Sequence, residues 1–143
     1  MTAPPSPNAV AEARALRALR HRDHTRSSLD AVLARAEIPE DVRTATVDWA
    51  CSLGYVDDER FALRRAERLA DRGVGDRAIV LDLERQGVEA ETVATAVAAL
   101  EPERVRAARI VERRGPGPAT ARHLARRGFS DDVIELAIAY GRG

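Results

Sequence analysis

Lysine is missing altogether from this 143-residue chain, and all 23 basic side chains are arginine. So complete an absence reads as genome composition rather than as selection at one site, although the guanidinium fork suits phosphates and carboxylates. Acidic residues also number 23, so the chain is formally neutral and the simple link from a basic protein to nucleic acid fails. Aromatics make up only 3%. Alanine, leucine and valine must therefore fill the interior, which favours close-packed helices over a large pocket. Cys51 is the single cysteine, which excludes an internal disulfide and suits a reducing cytosol. No apolar run approaches the roughly 20 residues that cross a bilayer, and no charged start followed by an apolar run marks a secretory signal. The expectation is a cytoplasmic, monomeric single domain without membrane contact.

What is present is helical periodicity. MTAPPSPN is expected to be a disordered tail over residues 1–8. Beyond it apolar residues recur at helical spacing and no stretch alternates like a half-buried strand. An internal repeat organises the pattern. ARAEIPEDV (34–42), ERQGVEAET (84–92) and ARRGFSDDV (125–133) each place an arginine near a helix end, then an apolar residue, then an acidic helix start. Leu33, Leu83 and Leu124 hold matching positions. The predicted fold is all-α: three tandem three-helix repeats over 9–55, 56–100 and 101–143, forming an elongated, curved array.

Gly87 and Gly128 suit the left-handed conformation that closes a helix. The first repeat has Glu37 at that place, which predicts a looser or differently shaped joint. Charge follows the same period, with basic first helices and an acidic third helix in each repeat. The strongest excess, +7, lies over residues 104–127. Two outcomes are open: the basic faces meet an outside acid, or neighbouring repeats neutralise each other through salt bridges.

GYVDDERF (54–61) poses the question of chemistry most sharply. Asp57, Asp58 and Glu59 have no facing carboxylate or histidine that would make a catalytic or metal site. As a helix start they account for themselves: Asp57 caps orphaned amides, and Asp58 and Glu59 sit on the positive end of the dipole. Tyr55 and Phe61 are expected to seat this joint in the core after the Gly54 stop. Arg60, Arg64 and Arg68 then line one side of a helix, with Glu67 and Asp71 within pairing distance of Arg64 and Arg68. Arg106, Arg109 and Arg113 share a face with little acid nearby, and Arg122 and Arg126 share another beside His123 and Arg127. Like charges on one face are destabilising, so these arginines are the candidate surface for an external anion.

Several other residues read as structural. His21 and His24 lack partners of metal-ligand spacing and belong to an exposed turn. Cys51 is expected to be packed and inert beside Trp49 and Leu53. GPGP (115–118) lacks the lysine and hydroxyl of a P-loop and is a turn. Phe129, the aromatic nearest the arginines, is assigned to the core, so no base-stacking platform is expected. No nucleophile constellation is present, and neither enzymatic activity, a metal nor a cofactor is expected.

GYVDDERFA at 54–62 followed by RGVGDRAIVLDLERQGVEAETV at 72–93 resembles the RecX family of bacterial regulatory proteins. The family's joint leads into a helix, and Gly75, Ile79, Leu83, Gly87 and Val88 stand at the places of its later Gly-x-x-x-Ile-x-x-x-Leu-x-x-x-Gly-apolar segment. The resemblance covers residue 9 to the end. It implies tandem three-helix repeats and a protein that binds the RecA recombinase and its filament on single-stranded DNA. It further implies lodging in the filament groove, damped ATP hydrolysis and strand exchange, and filament disassembly. The family pattern often has lysine where this chain has Gln86, and it offers no fixed set of functional residues, so the arginine faces carry the site expectation. Direct binding of single-stranded or duplex DNA, and an adaptor role through acidic Glu40, Asp41, Glu89 and Glu91, are the competing readings.

Overall fold

The structure is a computed structural model that describes residues 6–143, and every regular element among them is an α-helix. In chain order these are α1 (Pro7–His21), α2 (Arg26–Arg35), α3 (Glu40–Ser52), α4 (Asp58–Asp71), α5 (Asp76–Arg85), α6 (Ala90–Ala98), α7 (Glu103–Arg114), α8 (Pro118–Arg126) and α9 (Asp131–Arg142). The expected all-α class holds. The tail expected over 1–8 lies outside the described residues up to residue 5. Ser6 already accepts from the Ala9 amide at 3.1 Å and Pro7 opens α1, because proline fits the first helical turn. By contact the chain groups into two compact units, Met1–Phe61 with Gln86–Val88, and Ala62–Arg85 with Glu89–Gly143.

In the N-terminal unit α1, α2 and α3 pack on one another around Ala15, Leu29, Leu33, Val47, Ala50 and Val56. The small alanines bring the helices close, as the scarcity of aromatics requires. Thr25 and Ser28 each donate a backbone amide to the other's hydroxyl at 2.9 Å in a capping box that starts α2. The Thr25 hydroxyl then donates to the Gln86 carbonyl at 2.7 Å, fastening the segment that follows α5. Asp57 accepts from the Arg60 amide at 3.0 Å, as a cap should. Asp58 does more than complement a dipole: it accepts from the Arg26 amide at 2.9 Å and so caps α2, 32 residues earlier in the chain.

Three expectations change in this unit. Glu37 adopts φ 62°, the same left-handed turn that Gly87 and Gly128 take at 81° and 92°. Its amide donates to Ala34 and that of Ile38 to Leu33, so the first joint closes like the others, at a backbone strain that glycine would avoid. Tyr55 is half exposed and rests edge-on against Trp49, so only Phe61 of the two ring residues enters the core; Leu53 is exposed as well. His24 is buried rather than in an exposed turn, held against the Ser28 hydroxyl at 2.9 Å, and burial with Arg22 nearby pushes its pKa down. Cys51 is half-buried, with its Sγ accepting from the Arg26 guanidinium at 2.8 Å; burial raises the thiol pKa despite that cation. An unreactive Cys51 is consistent with both.

In the C-terminal unit α7, α8 and α9 pack together over Ala107, Ile110, Val111, Leu124, Phe129 and Ile138, while α5 packs on α6. Arg65 of α4 grips Asp82 of α5, with one arm of the fork at 2.9 Å. The backbone of α5's first turn meets the turn after α8: the Gly75 amide donates to the Arg127 carbonyl at 2.8 Å and the Arg77 amide to Gly128 at 3.1 Å. A Cβ on Gly128 would stand 2.5 Å from that of Ala78, so this approach requires glycine there.

Candidate anion-binding surface

The predicted arginines divide in two by what their donors touch. Arg106 belongs inside the fold. Its side chain is only 7% exposed, and its guanidinium pairs with Asp76, donates to the Glu101 carbonyl at 3.2 Å and lies 5.9 Å over the Phe129 ring. Burial pushes Asp76 upward, Glu103 adding and Arg106 opposing. Glu103 completes this centre by accepting the amides of Asp76 at 2.8 Å and Ser130 at 2.9 Å, so one carboxylate caps the starts of α5 and α9. Arg106 is therefore an almost wholly buried clamp, contrary to the expectation of little acid nearby.

Arg109 is corrected in the same way. Its fork meets the Glu101 carboxylate at 2.8 and 2.9 Å, which lowers the Glu101 pKa and raises that of Arg109. Glu101 lies just outside α7, where a reading along one helical face overlooks it. Arg127 is corrected too: it donates to the Arg72 carbonyl at 2.6 Å and the Gly73 carbonyl at 3.4 Å, serving the orphan carbonyls after α4. Arg60 bonds the Gly54 carbonyl at 3.0 Å and lies 3.9 Å from Asp57, closing its own joint.

Arg64, Arg68, Arg113, Arg122 and Arg126 have no carboxylate within ion-pair distance among the described residues, and all are exposed. The expected pairs of Arg64 with Glu67 and Arg68 with Asp71 do not form. Arg113 ends α7 beside Arg114, where the helix dipole favours cations. These two line an open cleft of about 350 Å³ with Arg72, Asp71, Ile110 and His123. Arg113 also lines a second cleft of about 340 Å³, which Arg109 and Glu101 border. His123 reports the local field: partial burial lowers its pKa first, and then Arg114, Arg127 and Arg126 each lower it further. Partial burial and then the cationic neighbours thus both disfavour the imidazolium form. Arg114, Arg72 and the cation-crowded state of His123 were absent from the expected site. The +7 segment contained the signal, but the α4 wall lies some 40 residues earlier in sequence.

Among the described residues no group of three or more histidine, cysteine, aspartate or glutamate side chains is arranged to hold a metal, and no helix is long and apolar enough to cross a membrane. The surface thus has the makings of an anion-recognition face on a helical scaffold, with free guanidinium groups as its chemistry. No protein-family model matches the chain. Regulatory protein RecX from Mycobacterium ulcerans is 35% identical over 96% of this chain and 88% of its own length. RecX from Mycolicibacterium vanbaalenii is 39% identical over 71% of this chain, a match spanning 56% of that protein. Among solved structures, RecX from Lactobacillus salivarius superposes with a TM-score of 0.83 at 17% identity, covering 95% of this chain and 97% of that one, and so matches in fold. The chain belongs to the RecX family of regulatory proteins.

Proposed function

We propose that this chain binds the RecA recombinase and its filament on single-stranded DNA in the bacterial cytoplasm, lowering ATP hydrolysis and strand exchange during recombinational repair and the SOS response. It acts as a non-enzymatic monomer built of three three-helix repeats, 9–55, 56–100 and 101–143. The observation that carries this reading is the set of exposed arginines with no carboxylate within ion-pair distance among the described residues, Arg113, Arg122 and Arg126 above all, on a member of a regulatory family. Arg64 and Arg68 extend the contact. Arg60, Arg106, Arg109 and Arg127 act indirectly, by holding the joints that carry the free residues.

The repeat reading draws support from matching bonds: the first residue of α4, Asp58, caps α2, and the first residue of α7, Glu103, caps α5. The functional test is recombinase ATP hydrolysis on single-stranded DNA with increasing amounts of this protein. Suppression is expected, weakened in an Arg113→Gln/Arg122→Gln/Arg126→Gln variant. No effect at saturation overturns the assignment. Weakened bare-strand binding with unaltered action on the recombinase would instead favour a direct DNA-binding module.

A further inference from the structure

The cleft between the turn after α4 and the ends of α7 and α8 combines three features that its fold does not use. Arg113 and Arg114 come from one wall, Arg72 from another, and His123 from a third. Their side chains lack carboxylate partners within ion-pair distance among the described residues, and Asp71 is the one acid on the lining. The helix dipole accounts for tolerance of Arg113 and Arg114, but not for their sharing one hollow with Arg72 and His123 from two other segments.

We propose that this cleft seats a phosphate group, with the guanidinium groups of Arg113, Arg114 and Arg72 as donors and the His123 imidazole completing the cradle. A carboxylate is planar and is satisfied by a single arginine fork, whereas a phosphate presents oxygens in several directions and uses donors from several walls. The inference rests on the reading of this arginine surface as the face that meets an external anion. It adds the ligand chemistry and a proton.

The proton follows from the surroundings of His123. Arg114 faces it from α7, Arg126 from its own helix and Arg127 from the turn beyond; Arg72, Arg113 and Asp71 share the cleft. Partial burial and these cations disfavour the charged imidazole in the free protein. A phosphate reverses the local field, so His123 accepts a proton on binding and then donates from both ring nitrogens. Affinity therefore rises as pH falls through the His123 pKa of the complex, and levels off below that of the free protein.

The test uses the full chain, with a thymidine oligonucleotide and inorganic pyrophosphate as separate probes and an oligoglutamate peptide of equal charge as the control. The His123 ring is followed by NMR across pH 5 to 8. Expected is an upward pKa shift of His123 with either phosphate probe. Arg113→Gln/Arg114→Gln should lose the shift and bind the oligonucleotide several-fold more weakly, with its salt slope reduced by about 0.7 per lost contact. A response to the oligonucleotide alone identifies a strand phosphodiester as the source, and one to pyrophosphate alone identifies a free phosphate compound. An unmoved His123 at saturating probe, or an equal response to oligoglutamate, overturns the proposal. Suppression of recombinase ATP hydrolysis is measured on the same samples. Intact suppression with a silent His123 removes the phosphate cleft and leaves the regulatory reading standing. A responsive His123 without suppression does the reverse.

Discussion

The start of α2 and the start of α5 meet the same requirement with different residues. At each, a carboxylate from the first position of a later helix accepts the first helical amide, Asp58 for Arg26 and Glu103 for Asp76. In the N-terminal unit the residue so capped is an arginine, whose exposed guanidinium reaches Asp48 and Cys51. In the C-terminal unit it is an aspartate, and the cation comes from buried Arg106. The backbone solution is shared while the sign of the charges is exchanged. Buried Arg106 locks a joint, and at the rim Arg26 and Arg109 still pair with acids while Arg113, Arg122 and Arg126 have no carboxylate partner among the described residues. Identical side chains therefore separate into paired and unpaired sets by proximity of acid, not by residue type.

The largest expected effect breaks the buried side of this comparison. Arg106→Ala strands Asp76 against a desolvated centre and should lower stability by about 3 kcal/mol, the low end for such a loss because Asp76 keeps 35% exposure. Arg26→Ala at the exposed counterpart should cost less than about 1 kcal/mol. Urea unfolding of the two variants measures the contrast, and equal losses would erase it.

The helix-closing turns give the next test. Gly128→Ala drives a Cβ to 2.5 Å from that of Ala78 in a left-handed turn, so a loss of about 1–3 kcal/mol is expected. Glu37→Gly removes strain at φ 62° but loosens the unfolded chain, so a gain of about 0.5 kcal/mol should remain in thermal unfolding.

Histidine titration sharpens the comparison with the smallest effect. His24 is buried with a depressed pKa, so the unfolded chain binds its proton first as pH falls. Its contribution is complete above the ordinary histidine value of about 6.5, and is lost as pH falls from there through the depressed folded value. The urea midpoint should decline over that window and decline less in His24→Asn.

Local physics made much of this legible. The helix start at Asp57, the glycine turns and the core place of Phe129 each depend on a few neighbouring residues, and the sequence displays those together. The candidate site was legible only as an excess of arginine. Which arginines are free depends on Asp76 meeting Arg106 from 30 residues away and on Arg127 reaching the carbonyl of Arg72 across 55. Helical periodicity cannot register partners on other helices. Glu37 misled for a different reason: a side chain disfavoured in a left-handed turn is still tolerated when the surrounding helix ends demand that turn.

The most direct measurement is the rate of RecA ATP hydrolysis on single-stranded DNA in the presence of three forms of this protein. The wild type should suppress the rate, and Arg113→Gln/Arg122→Gln/Arg126→Gln, still folded by circular dichroism, should suppress it far less. Arg109→Gln, which loses only an exposed ion pair with Glu101, should retain most of the effect. Full suppression by the triple variant would contradict the division of arginines on which the account stands.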